Sequence, residues 1–228
     1  LSELAVVTGA GRGIGRAAAL AFARRGVSVA LLGHPGERLE QAASEVRALG
    51  VEGRAFACDV AVATDVDRAA AEVLAQLGVP RAVVNNAGVV RRGERVHETS
   101  PDAWDHVVAV NLRGPFLVSR AFLPSMLAAG RGRFVHVSSI SATLGSPGAA
   151  SYAASKWGLV GLSKSLAEEL RGTGLSSVAI LPGSVDTDML AGSGFAPQMS
   201  AGDVASMIVH AALDAPAALN GSAVEMFG

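Results

Sequence analysis

Tyr152 and Lys156, in Ser151-Tyr-Ala-Ala-Ser-Lys156, are a weak acid and a cation four residues apart. On a helix the two side chains share one face, one turn apart. Tyr152 is also the only tyrosine among 228 residues, so it reflects no general packing habit. A free phenol titrates at about 10, and bringing it near neutrality needs roughly 4 kcal/mol. One cation at ~4 Å, in an effective dielectric of ~20, supplies about that much before any desolvation cost. The pair could therefore move a proton. Ser138 and Ser139 lie shortly before it and add two hydroxyls. Tyr-x-x-x-Lys is a loose pattern, however. Alone it fits an interfacial tyrosine and a solvated lysine better than a catalytic pair, and the rest of the chain has to decide.

The elements that must position these groups follow from the pattern of the chain. Short β-branched runs at 4–8, 27–32, 54–58, 82–85, 133–138, 177–181 and 223–226 alternate with helical patterns at 12–24, 36–49, 64–77, 101–129, 151–171 and 201–214. This alternation predicts an α/β fold, a doubly wound parallel sheet of about seven strands with helices on both faces. Several strands are nearly continuous apolar runs, as expected when both faces are covered. Crossovers should be right-handed. The length suits one domain, taken as residues 1–228. Hydrophobic residues make up 50% of the chain but aromatics only 4%, so the core must be close-packed layers of Ala, Val and Leu.

The same composition excludes several functions. A net charge of −1 without a basic run argues against a nucleic-acid surface. The single Cys58 excludes an intrachain disulfide and a cysteine-based zinc site. His97, His106, His136 and His210 have no metal-ligand spacing, so no metal is expected, and His136 should be a packed, hydrogen-bonded strand residue. No run of about 18 apolar residues predicts a membrane span. The chain runs directly into Leu4-Ala-Val-Val7 with no signal segment, so a cytoplasmic protein is expected.

Thr8-Gly-Ala-Gly-Arg-Gly-Ile-Gly15 follows the first strand and opens the first helix. Such a turn lets backbone N–H groups and a helix N-terminus meet a pyrophosphate. The common Gly-x-Gly-x-x-Gly spacing fails, because its third glycine falls on Ile14, and no Gly-Lys-Ser/Thr of a phosphate loop occurs. Thr-Gly-x-x-x-Gly-x-Gly fits, with Gly9, Gly13 and Gly15 in the fixed places.

This turn, Asn85-Asn-Ala-Gly88, Asn111, Ser139, Tyr152 with Lys156, and Pro182-Gly183 stand in the order and spacing of the short-chain dehydrogenase/reductase family. The chain resembles that family over essentially its whole length, and in general style it is similar to the 3-oxoacyl-(acyl carrier protein) reductases. The resemblance implies a single Rossmann-type domain, a nicotinamide cofactor, hydride transfer between carbonyls and alcohols, and a homodimer or homotetramer. It makes Tyr152 the general acid in reduction and the general base in oxidation. Lys156 would lower its pKa and hold the nicotinamide ribose. Ser139, at the family's thirteen-residue offset from Tyr152, would steady the substrate oxygen in preference to Ser138. Asn111 would help hold a water that relays protons to the lysine. Around the cofactor it assigns Gly9, Arg12, Gly13, Ile14 and Gly15 to the pyrophosphate side, and Asn85, Ala87 and Gly88 to the adenosine side. Asp59 and Val60 would meet the adenine, unless Asp59 is a helix N-cap. Pro182, Gly183, Val185 and Thr187 would lie at the carboxamide.

The second strand ends at Leu32-Gly-His-Pro35, where an NAD enzyme usually places an acidic residue for the ribose 2′-hydroxyl. Gly33 and His34 stand there instead, and Arg12 offers a guanidinium to a 2′-phosphate. NADP(H) is therefore expected over NAD(H), although the arginine common just after this strand is missing. The segment 186–198 is short where relatives carry a longer helical lid, which predicts an open site. The expected reaction is NADP(H)-dependent conversion of a small-molecule ketone or secondary alcohol. An NAD-dependent alcohol or sugar dehydrogenase is the alternative, and a non-catalytic cofactor-binding regulator is the alternative of another class.

Overall fold

The apolar runs pair into one seven-stranded parallel sheet in the computed structural model of the protein, which describes residues 3–228. Residues 1–2 of the expected domain lie outside them. In chain order the first half runs β1 (Leu4–Thr8), α1 (Gly13–Arg24), β2 (Ser28–Gly33), α2 (Glu37–Ala48), β3 (Gly53–Ala57), α3 (Ala63–Gln76) and β4 (Ala82–Asn85). There follow α4 (Pro101–Val108), α5 (Gly114–Ala129), β5 (Gly132–Val137), α6 (Ala150–Glu169), β6 (Leu175–Pro182), β7 (Val185–Asp186), β8 (Met199–Ser200), α7 (Ala201–Val209) and β9 (Ala223–Met226). The strand order is β3-β2-β1-β4-β5-β6-β9, a Rossmann-type arrangement. β1 pairs with β2 on one side and β4 on the other, so the winding reverses between β1 and β4. Ligands of open α/β sheets bind outside the carboxyl ends of strands at such a point.

Both faces of the sheet are covered, which is why β1 and β6 are buried at every position. One apolar layer joins Phe22, Leu39, Val46, Val204 and Ile208 to one face of the central strands. The other joins Phe56, Val73, Phe122, Met126 and Phe134 to the opposite side. Few rings are needed because Ala, Val and Leu fill most of both layers.

Three features depart from the pattern in the sequence. The helical stretch 101–129 is one rod, but Ala109–Arg113 forms a π turn between α4 and α5. Pro115 follows at once; it has no N–H for the carbonyl of Asn111, and its ring would press on that carbonyl in a regular helix. The wider turn admits the proline and sets Asn111 inward. A second π turn, His210–Asp214, ends the stretch begun by α7. The segment after Pro182 also holds a feature without a sequence counterpart: β7 and β8 pair as a small parallel sheet, Val185 opposite Met199 and Asp186 opposite Ser200.

Candidate active site

The glycine turn is held to the end of β4 by a compact set of bonds. The Thr8 hydroxyl donates to Val84 O (3.3 Å) and accepts from the backbone N–H groups of Asn86 and Ala87 (3.0 Å each). The Asn86 amide donates to Thr8 O at 2.9 Å. Neither Thr8 nor Asn86 stands out as a site residue in the sequence, yet both lie in the motifs that flag the turn and the Asn-Asn pair. The fit is close: a methyl group on Gly15 would come within 2.2 Å of Gly9 O, and one on Gly9 within 2.9 Å of Ala87 Cα. Gly9 and Gly13 also have φ of 63° and 52°, which favours glycine. Arg12 precedes the helix in extended conformation, and no side chain caps α1. The first-turn N–H groups are thus left for an anion at the positive end of the helix. Ile14 is half-buried against the adjacent core. Thr187 closes the turn from above, its Cγ2 3.4 Å from where a Gly13 side chain would begin. These residues fit a dinucleotide's pyrophosphate.

Along the same edge, β5 and α6 bring the proton-transfer candidates together. Ser139 follows β5 and accepts from Ser141 N–H at 3.1 Å; its hydroxyl is also close enough to the Tyr152 phenol to favour the ionised form. Ser138 is turned the other way and donates to the backbone carbonyl of Lys156 at 3.0 Å. The two serines, alike in sequence, thus divide into one facing the phenol and one tying β5 to α6. Lys156 is buried, and its Nζ donates to Val137 O at 2.8 Å, 5.7 Å from the centre of the Tyr152 ring. A side chain on Gly88 would begin 3.4 Å from Asn111 Oδ1 and 3.7 Å from Lys156 Nζ, so the end of β4 lies against both.

The electrostatics differ from the simple expectation. Burial pushes the Tyr152 phenol above its ordinary value, and the Ser139 hydroxyl and the Arg92 guanidinium oppose the rise. The residue is only half-buried, so solvent screens part of this. Lys156 is not among the groups that lower it. Its own ammonium is destabilised by burial, to a pKa of about 8, and is spent on a carbonyl.

Asn111 neither bonds its own helix nor stands free. Its Oδ1 accepts from Val89 N–H and its Nδ2 donates to Val89 O, both at 2.8 Å, and Nδ2 also donates to Ser155 Oγ at 3.1 Å. It clamps the chain after β4 to α6 across the π turn. Asn85 is buried below, donating to Ser119 Oγ (3.1 Å) and meeting His136 Nδ1 (3.3 Å), which suits a supporting role. Ala87 and Gly88 continue the edge. Asp59 accepts from Ala61 N–H at 2.9 Å as a local turn, and Val62, not Asp59, precedes α3. Val60 is buried and would meet any side chain at Gly114. Gly33 ends β2 beside Leu39, and His34 is exposed. Pro182 ends β6, Gly183 N–H donates to Met226 O at 2.9 Å, and Val185 packs into the core.

The segments around the site are linked to one another. Gly93 N–H donates to Gly148 O at 3.0 Å, joining the loop after β4 to the stretch before Tyr152. Arg92 Nη1 donates to Met189 O at 2.9 Å, joining that loop to the segment after β7. Arg91 pairs with Glu94. Arg12 reaches Asp188 at 3.0 Å, and Arg38, from the first turn of α2, reaches the same carboxylate oxygen at 3.6 Å. Arg38 lies four residues beyond His34, too far along the chain to be read as a residue at the end of β2.

Comparison with known proteins places this arrangement. The sequence model described as short chain dehydrogenase matches residues 3–195. The 3-oxoacyl-(acyl-carrier-protein) reductase FabG of Staphylococcus aureus (strain N315) is 38% identical over 191 residues, covering 83% of this chain and 77% of that protein. The 2-(R)-hydroxypropyl-CoM dehydrogenase of Xanthobacter autotrophicus (strain ATCC BAA-1158 / Py2) is 38% identical over 192 residues, with the same coverage of 83% and 77%. Among solved structures, levodione reductase superposes with a TM-score of 0.93 at 26% identity, over 98% of this chain and 95% of that one.

Proposed function

The chain belongs to the short chain dehydrogenase family, an oxidoreductase acting on alcohols and ketones, and from that premise we propose that it works with NADP(H), with Tyr152 moving the proton. The observation that carries the reading is the meeting of Ser139, Tyr152 and Lys156 at the edge where the glycine turn opens. The Gly9–Gly15 turn would hold the pyrophosphate, Asp59 and Val60 the adenine, Lys156 the nicotinamide ribose, and Val185 with Thr187 the carboxamide. A bound nicotinamide supplies the hydride in reduction and accepts it in oxidation.

The chain's own residues then handle the oxygen. In reduction the Tyr152 O–H donates its proton to the carbonyl oxygen as negative charge grows there. Ser139 donates a second hydrogen bond to the same oxygen, which stabilises charge that develops only in the transition state. In oxidation the phenolate takes the proton back. A phenol raised by burial keeps its proton at neutral pH. Reduction should therefore hold its rate through neutral pH, and oxidation should accelerate as pH rises.

Asn111 acts by position, fixing Val89 and Ser155 so that the phenol and ammonium keep their places. Trp104, Phe116 and Trp157 are exposed on neighbouring helical segments, and we place a second copy of the chain against them. The substrate is a small-molecule ketone or secondary alcohol that enters under the short segment after β7.

Tyr152→Phe tests the assignment. It should bind NADPH like the wild type, by fluorescence titration, while the rate of carbonyl reduction falls by at least about 10³, within the range for loss of a positioned acid. Retained turnover would remove Tyr152 from the chemistry.

A further inference from the structure

Arg12 and Arg38 come from different elements, the glycine turn and the start of α2, yet both guanidiniums converge on Asp188 Oδ2, at 3.0 and 3.6 Å. All three side chains are well exposed, at 61%, 72% and 66%, so a ligand can reach them. Among the described residues neither arginine has another acidic partner, whereas the nearby Arg16 is committed to Glu45. Two exposed cations beside the glycine turn repel each other modestly, and an anion between them relieves that repulsion. Here the anion belongs to the segment after β7.

Resting on the NADP(H) reading, we propose that Asp188 is an internal stand-in for the cofactor's 2′-phosphate: it holds the Arg12–Arg38 pair together until the phosphate displaces it and frees the segment that follows β7. The exchange is favourable because one carboxylate oxygen is shared by two guanidiniums. A phosphate monoester brings a charge of about −1.5 to −2 and three acceptor oxygens, enough for each arginine to bond separately. A 2′-hydroxyl carries no charge and displaces nothing. Arg38 thereby supplies the second cation that the end of β2 lacks. Met189, next in the chain, is held on its other side by Arg92 from the loop after β4. Release of Asp188 therefore reaches the segment that borders the substrate, and cofactor identity is coupled to its freedom.

The test is calorimetric titration of wild type, Asp188→Asn and Arg38→Ala with adenosine 2′,5′-bisphosphate, adenosine 5′-monophosphate, NADPH and NADH. Asp188→Asn removes the competitor. It should tighten the bisphosphate and NADPH by about two- to fivefold, the size expected for an exposed ion pair, and leave the monophosphate and NADH unchanged. Arg38→Ala should weaken the same two ligands by about the same factor and spare the others. If the wild type prefers the 2′-phosphorylated ligands but Asp188→Asn changes neither, the NADP(H) reading stands and the stand-in is overturned. If Arg38→Ala has no effect, Arg38 is not part of the anion site. If wild type binds NADH as tightly as NADPH, the cofactor reading itself falls.

Discussion

Lys156 is a buried cation whose one hydrogen-bond partner among the described residues is a backbone carbonyl, and that defines its thermodynamics. Its pKa is lowered to about 8 by burial, against about 10.4 in an unfolded chain. Between those values the unfolded chain binds more protons than the folded one, so stability rises with pH through that window and is lowest below it. The shift corresponds to on the order of 3 kcal/mol below pH 8. Lys156→Met should therefore be more stable than wild type at pH 7, by about 1–3 kcal/mol once the bond to Val137 is lost. The advantage should shrink between pH 8 and 10.5, and hydride transfer should be absent. Urea unfolding across that range checks it, and a less stable variant at pH 7 would contradict it. At this scale the sequence makes the residue types and the i, i+4 spacing of Tyr152 and Lys156 legible. It does not reveal that the ammonium serves Val137, or that burial outweighs cations at the phenol, because both depend on depth in the folded chain. Arg38 was illegible for a related reason: its partner is 150 positions away.

The glycine turn is an element whose four glycines do unequal work. A methyl at Gly15 would meet backbone at 2.2 Å and the Asn86 amide at 2.6 Å, whereas one at Gly11 would find nothing nearer than 3.4 Å. Gly15→Ala should accordingly cost about 1–3 kcal/mol or more, lowering Tm by roughly 2–4 °C per kcal/mol. Gly11→Ala should leave Tm nearly unchanged. Equal melting temperatures for the two variants would contradict the packing argument. The pattern Thr-Gly-x-x-x-Gly-x-Gly already separates these positions, since Gly11 occupies one of its free places, and the contact distances supply the cause. The π turn was less legible. An apolar period read over 101–129 cannot register one extra residue, and the local signal was Gly114-Pro115 within the helix.

At the scale of the whole molecule, His136 sets a limit on acid stability. It lies at the middle of the sheet with no exposed surface, and burial lowers its pKa to about 4. An unfolded histidine titrates near 6.5. The unfolded chain thus binds the extra proton first as pH falls, and stability is lost progressively from pH 6.5 to 4, by on the order of 3 kcal/mol. His136→Gln should flatten that part of the curve, measured as urea unfolding free energy at pH 6.5, 5 and 4. An unchanged slope would assign the acid sensitivity to other groups. The alternation of strands and helices made the seven-stranded sheet legible because each strand announces itself by composition. The β7–β8 pair is only two residues long on each side, and its pairing comes from chain closure, which no run of residue types encodes. That closure joins the two ends of the intervening loop at its root, and the Ser200–Asp203 capping box fixes the helix immediately behind it. With the ends already held, lengthening the loop adds only about 0.6 kcal/mol per doubling. Residues 190–198 can then be regarded as an exchangeable cassette: longer covers could be grafted between Met189 and Met199 to narrow the range of substrates accepted, with the sheet, the Arg92–Met189 tie and the residues proposed for proton transfer left in place.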